Sequence, residues 1–143
     1  MRELINSKVK CREAFRPFAP SVLADRAQEF FELPAPSPYM QFTVRVRASA
    51  KGILPAVTHV DGTARVQTVT REANQRLYDL LAAFGRLTGV PVLLNTSFNV
   101  QEPIVCTPDD AVRCFQRTQV EWLVLGNLLV GRSSPPAIPN HAC

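Results

Sequence analysis

Met40, Phe42, Val44 and Val46 fall at every second position of 39–46 (YMQFTVRV), the period of a strand with one buried face. The run 64–69 (ARVQTV) alternates in the same way. Leu77, Leu80, Leu81 and Phe84 fall instead at i, i+3, i+4 and i+7, which predicts an amphipathic helix over 72–88, with Gly89 placed to end it. The apolar run 91–94 (PVLL) reads as a buried strand, and 24–31 as a short helix. Thr107-Pro108-Asp109-Asp110 opens a further helix over 108–117: a capping hydroxyl, a proline where no N–H is needed, and two carboxylates at the positive end of the helix dipole. Segments 122–125 and 128–130 read as closing strands around Gly126-Asn127. Strands and helices interleave, so the predicted class is α/β, or α+β if the sheet is mixed.

The twelve prolines punctuate this pattern. Pro34, Pro36 and Pro38 mark a stiff connection, since each fixes its own φ and restrains its predecessor. The stretch 132–143 (RSSPPAIPNHAC) has no apolar period and is expected to be a disordered tail, leaving one domain over 1–131. A chain of 143 residues suffices for a single core, and 46% hydrophobic with 20% charged residues is ordinary for a soluble globular protein. No apolar run nears the roughly 18 residues of a membrane span. The charged opening MRELINSKVKCRE lacks the apolar core of a signal peptide, so a cytoplasmic protein is expected. Four cysteines without a C-x-x-C pair, and only two histidines, argue for reduced thiols and against a metal site.

Charge changes the picture more. Within a net +4, residues 1–16 carry Arg2, Lys8, Lys10, Arg12 and Arg16 against Glu3 and Glu13. That imbalance suits a phosphate-bearing partner, and it equally suits a solvated basic face. Lys10 and Arg12 would share one side of an extended segment, where they could grip a phosphate, or they could guard a basic edge strand. His59 and Asp61 flank an Asp-Gly turn in THVDGTAR, and Asp61 could simply bond its own backbone. Arg65 begins the alternating strand. Ser97 and Asn99, two apart beyond PVLL, could orient a polar ligand or form a local Asx or Ser turn.

Taken in order, NSKVKCREAFRPFAPSVL, PSPYM, PAVTHVDGTARVQTV, PVLLNTSFNVQEPIVCTPDDA and WLVLGN resemble the C-terminal domain of the O-carbamoyltransferases of nodulation-factor and antibiotic tailoring, the NodU/CmcH family. The resemblance implies a YrdC-like fold, a twisted mixed sheet with flanking helices around a basic cavity. It further implies that a K-x-R element (Lys10, Arg12) and an S-x-N element (Ser97, Asn99) hold ATP and carbamoyl phosphate. Arg16 and Arg65 would bind phosphate, and His59 and Asp61 belong to the same nucleotide-binding set. The implied chemistry is formation of a carbamoyl-adenylate from carbamoyl phosphate and MgATP with release of pyrophosphate. Lys10, Arg12 and Arg65 would be the catalytic cations, and Mg²⁺ would come with the nucleotide.

Family enzymes also carry a larger N-terminal domain of the actin-like ATPase class, which passes the carbamoyl group to a hydroxyl acceptor. Full transfer is therefore expected to need that domain or a separate N-terminal subunit. Three readings follow from the sequence: one half of a carbamoyltransferase; a non-catalytic module holding nucleotide or carbamoyl phosphate; and, third, an RNA-binding YrdC-like domain, although nucleic acid is not the expected partner.

Overall fold

The computed structural model describes residues 1–132, so the expected tail lies, Arg132 apart, outside the described residues. The chain forms two compact units, residues 17–96 and residues 1–16 with the C-terminal part from Ser97 onward.

The unit 17–96 is built on β1 (Ala19–Leu23), which runs parallel to β4 (Gln67–Val69) and antiparallel to β5 (Val92–Asn95). The sheet is therefore mixed, and the expected class holds in its α+β form. All residues of β1 are buried. A strand covered on both faces has no polar positions to alternate with, which is why APSVL carries no periodic signal. Pairing with β4 begins only at Ser21, so the missing N–H of Pro20 takes nothing from that ladder. A polar row crosses the three strands. Gln67 Oε1 accepts from Ser21 Oγ at 2.7 Å and from Asn95 Nδ2 at 2.8 Å, while its amide donates to the Pro38 carbonyl.

The expected strand over 39–46 shrinks to β2 (Thr43–Arg45), extended by a single bridge from Val46 to Phe31. Met40 takes a left-handed φ of 57°, and Ser37 Oγ accepts the N–H groups of Gln41 and Phe42, so a turn consumes the first half of the segment. Val44 and Val46 do face the core. A short helix, α2 (Ala48–Lys51), follows, and β2 pairs antiparallel with β3 (Thr63–Arg65). The alternating run 64–69 divides at buried Val66, giving β3 and β4 different partners. The segment expected to be helical at 24–31 is a 3₁₀ helix, Ala24–Glu29.

Helix α3 (Gln75–Thr88) starts later than the periodicity suggested, because Asn74 accepts the Leu77 N–H and caps it there. Gly89 ends it at φ 78°. Leu81 is fully buried against Leu23 and Val69, with Leu77, Tyr78, Ala82 and Leu93 around them, whereas Leu80 is 56% exposed. The inward stripe is thus rotated away from Leu80.

In the other unit, α1 (Arg2–Lys8) leads into an irregular loop, and α4 (Pro108–Arg117) follows the loop that holds Ser97 and Asn99. Helix α4 has the predicted bounds. Thr107 Oγ1 accepts the Asp110 N–H, and the Asp110 carboxylate accepts the Thr107 N–H in return, a capping box. Thr107→Ala is expected to lower stability by about 1 kcal/mol, read as a shift of the urea midpoint at unchanged slope.

Strands β6 (Trp122–Leu125) and β7 (Leu128–Gly131) form a hairpin whose two-residue turn has Gly126 at φ 61°. Arg132 closes the C-terminal end of α4: its guanidinium lies 4.4 Å from the Phe115 ring and donates to the carbonyls of Phe115, Thr118 and Val120. The opposite face of the hairpin is open, with Trp122, Val124 and Leu129 exposed and the Trp122 indole lying across Gly131. Among the described residues no helix is long and apolar enough to cross a membrane.

Candidate functional site

The segment carrying Lys10 and Arg12 is neither a strand nor an edge. After α1 the chain turns, and Cys11 takes a left-handed φ of 45°. This turn still brings Lys10 and Arg12 to one concavity, which Arg16, Ser97 and Asn99 also line. Its volume is about 410 Å³, within the roughly 300–1,000 Å³ of small-molecule sites. Five of the eight residues singled out in the sequence therefore meet in one place.

Lys10 is the centre of the arrangement. It is only 4% exposed, and its ammonium shares its three protons among Ser97 O at 2.9 Å, Ser97 Oγ at 3.1 Å, Asn99 O at 2.9 Å and Asn99 Oδ1 at 2.6 Å. Ser97 Oγ donates to Asn99 Oδ1 at 2.7 Å, and Asn99 Nδ2 donates to the Glu102 carbonyl at 2.7 Å. The S-x-N element thus grips Lys10 with side chains and carbonyls alike. All four acceptors are neutral, and among the described residues no carboxylate lies within salt-bridge distance of this ammonium.

That is an expensive position for a charge. Burial first, and then the neighbouring Arg12 guanidinium, hold Lys10 below the ordinary lysine value of 10.5, against the opposing pull of Cys114 and Glu102. Arg12 is pulled down in turn by burial and then by Arg16, with Glu13 opposing. Arg16 pairs with Glu13 at 2.9 Å, but both side chains are more than half exposed, so this pair neutralises little. Three cations converge on a cavity whose lining holds a single carboxylate.

Three contributors carry no sequence signal of the kind used above. Asn6 is fully buried in α1; it accepts from Arg12 Nε at 2.8 Å and donates to the carbonyls of Ala14 and Arg16. Glu102 is held well ionised, chiefly by its own backbone N–H and then by those of Gln101 and Val100, with Arg117 a weaker partner 3.8 Å away. Cys114, buried on α4, has its thiol pushed up by burial and then by Glu102, which makes it an unreactive core thiol rather than a nucleophile.

His59, Asp61 and Arg65 belong to the unit 17–96. Asp61 Oδ1 accepts from the Thr63 N–H at 2.9 Å and from its hydroxyl at 2.7 Å, the local Asx arrangement that the Asp-Gly pair suggested. The Thr63 hydroxyl donates to Asp61, so at 3.1 Å it accepts from His59 Nδ1–H. Thr63 joins the two predicted residues. Arg65 ends β3 with its side chain exposed. Among the described residues no group of three or more His, Cys, Asp or Glu could hold a metal ion.

The sequence profile of the carbamoyltransferase C-terminus matches residues 1–132, and the chain belongs to that family. It is 53% identical over 133 residues to the nodulation protein NolNO of Sinorhizobium fredii, covering 90% of this chain and 20% of that protein. It is 49% identical over 141 residues to the nodulation protein NolO of Bradyrhizobium diazoefficiens, covering 96% and 26%. An uncharacterised protein of Synechocystis is 48% identical over 157 residues, covering 95% and 26%. The chain spans about a quarter or less of the length of these curated relatives.

Proposed function

We propose that the cavity around Lys10 is an anion site that takes the phosphoryl groups of carbamoyl phosphate and ATP, and that the chain serves the activation half of a carbamoyl transfer. The observation that carries this reading is the Lys10 ammonium, buried among neutral oxygens and facing two more cations. An anion in the cavity would relieve the desolvation of Lys10 and the mutual repulsion of Lys10, Arg12 and Arg16 together. Membership of the carbamoyltransferase C-terminus family supplies the substrate class.

In this reading Arg12 and Arg16 bind phosphoryl oxygens directly, since a guanidinium presents paired donors. Lys10 acts as a fixed charge whose position the S-x-N loop sets, and Ser97 and Asn99 orient rather than attack. Forming a carbamoyl-adenylate releases pyrophosphate from ATP and phosphate from carbamoyl phosphate, with one water balancing the sum. The chain's cations offset the charge that develops on the leaving groups. The single lining carboxylate, Glu13, is already paired with Arg16, so Mg²⁺ is assigned to the nucleotide's own phosphate oxygens. Arg65, His59 and Asp61, in the unit 17–96, are assigned to nucleotide binding on the family resemblance alone. Passage of the carbamoyl group to a hydroxyl would fall to the portion that relatives carry beyond the matched stretch, in the same or a second polypeptide.

The test is pyrophosphate release from MgATP, with and without carbamoyl phosphate, for the parent chain beside Lys10→Ala and Ser97→Ala. Release that requires carbamoyl phosphate and vanishes in both variants is expected. A second reading, a module that binds without turnover, is favoured by the Lys10 ammonium, which Ser97 and Asn99 already engage. Binding without release would select it, and a parent chain that binds neither compound would overturn both.

A further inference from the structure

We propose that Phe15 is the surface on which the base of the bound nucleotide stacks, so that the site divides between cations for phosphate and one aromatic face for the base. The proposal rests on the anion-site reading above and adds to it a group for the part of ATP that carries no charge.

Phe15 is 73% exposed, a large apolar ring left in water. It sits at a corner of a tight turn: the Arg16 N–H donates to the Glu13 carbonyl at 3.2 Å, and the Glu13 carboxylate pairs with Arg16 Nε at 2.9 Å across the same turn. Both ends of the turn, Glu13 and Arg16, line the cavity, whereas Phe15 itself does not. The turn is braced by α1, where buried Asn6 donates through Nδ2 to the carbonyls of Ala14 at 3.2 Å and Arg16 at 3.0 Å, one on each side of Phe15. A ring carried on a backbone held at both flanks is already placed when a ligand arrives, so docking against its face costs little further ordering.

The cavity lacks a partner for a base. Among the described residues that line it, none is aromatic. A guanidinium can stack on a base, but in this reading Arg12 and Arg16 are taken by phosphate. Consecutive Cα atoms lie about 3.8 Å apart, so a base joined through its ribose to a phosphate on Arg16 falls within reach of the neighbouring ring. Stacking needs only a π-face, which every base has. An exposed ring is also what a protein partner would cover, and the two occupants differ in which affinity the ring supports.

The experiment measures binding of ATP and of inorganic triphosphate by calorimetry, with Tm in parallel, for the parent chain and for Phe15→Ala, Phe15→Leu and Phe15→Trp. Phe15→Ala is expected to weaken ATP about tenfold, while triphosphate changes less than about twofold. Phe15→Leu keeps apolar bulk without a flat face and should lose most of the same affinity for ATP. Phe15→Trp should keep or improve it. Tm should stay near the parent value throughout, since an exposed ring packs against little. If Phe15→Ala does not fold, the contrast between Phe15→Leu and Phe15→Trp carries the test. Equal losses of ATP and triphosphate would place the effect in the turn, and unchanged ATP affinity would leave the ring to a protein partner; either overturns the proposal while the anion site stands. A parent chain that binds no triphosphate overturns the anion site itself.

Discussion

Lys10→Met is expected to abolish anion binding and to lower the melting temperature by roughly 10 °C. Methionine matches the length of the lysine stem and fills the same buried space, so packing is largely kept. What disappears is the donor shared by Ser97 O, Ser97 Oγ, Asn99 O and Asn99 Oδ1. The backbone carbonyls of Ser97 and Asn99 then lose this donor. Such charge-assisted bonds are worth about 1.5–3 kcal/mol each, partly offset here by removal of the buried charge. A net loss of about 3 kcal/mol is the order expected, which gives the stated shift for a chain of this size.

The pH dependence separates this effect from a simple packing defect. Lys10 gives up its proton more readily in the folded chain than at its unfolded value of 10.5. Between the folded value and 10.5 the unfolded state therefore holds more protons, and stability contributed by this residue rises with pH across that interval. The parent chain should gain on Lys10→Met as alkaline pH is approached. Pyrophosphate should reverse the trend, because a bound anion favours the charged ammonium and adds stability by mass action. Urea midpoints of both chains across the alkaline range, with and without pyrophosphate, are the measurement. A difference independent of pH would mean that Lys10 is not held below its ordinary value.

Leu81→Ala is expected to cost about 3 kcal/mol, whereas Leu80→Ala should stay within about 0.5 kcal/mol. Both leucines fit the apolar stripe in the sequence. Leu81 is fully buried between Leu23 of β1 and Val69 of β4, while Leu80 is 56% exposed. Truncating Leu81 removes contact from the helix and from two strands at once, and the neighbours Leu77, Tyr78 and Leu93 cannot close the gap without moving backbone. Chemical denaturation of the two variants reads this directly. Equal costs would mean that the helix presents the other side of its stripe.

The contrast between those leucines shows what kind of information the chain carries in plain view. Helix α4 is legible because its signals are local: Thr107, Pro108 and Asp110 lie within one turn and act on one another. The hairpin around Gly126 is legible for the same reason. Periodicity also finds α3, but a 3.6-residue period admits two neighbouring phases, and only the strands beneath decide between them. The central strand β1 is hidden because burial on both faces removes the alternation. The turn at Met40 is hidden because its cause, the Ser37 hydroxyl, stands outside the alternating run. At the site, alternation placed Lys10 and Arg12 together for the wrong reason. A left-handed Cys11 does so, not an extended strand. The grip of Ser97 on Lys10 spans 87 residues and has no local trace. Asn6 is invisible for a related reason, since nothing about an asparagine in a short helix announces three loop partners.

Trp122 is the chain's sole tryptophan, and it sits on the open face of the β6–β7 hairpin, 60% exposed. The protein therefore carries a built-in optical reporter at that one surface. In the free chain its emission should lie at the long-wavelength end, as for indole in water, and iodide should quench it readily. Any body that settles over Val124 and Leu129 must dry the same ring, shifting emission to the blue and shielding it from quencher. Docking on this hairpin could thus be followed in unlabelled protein, by colour alone.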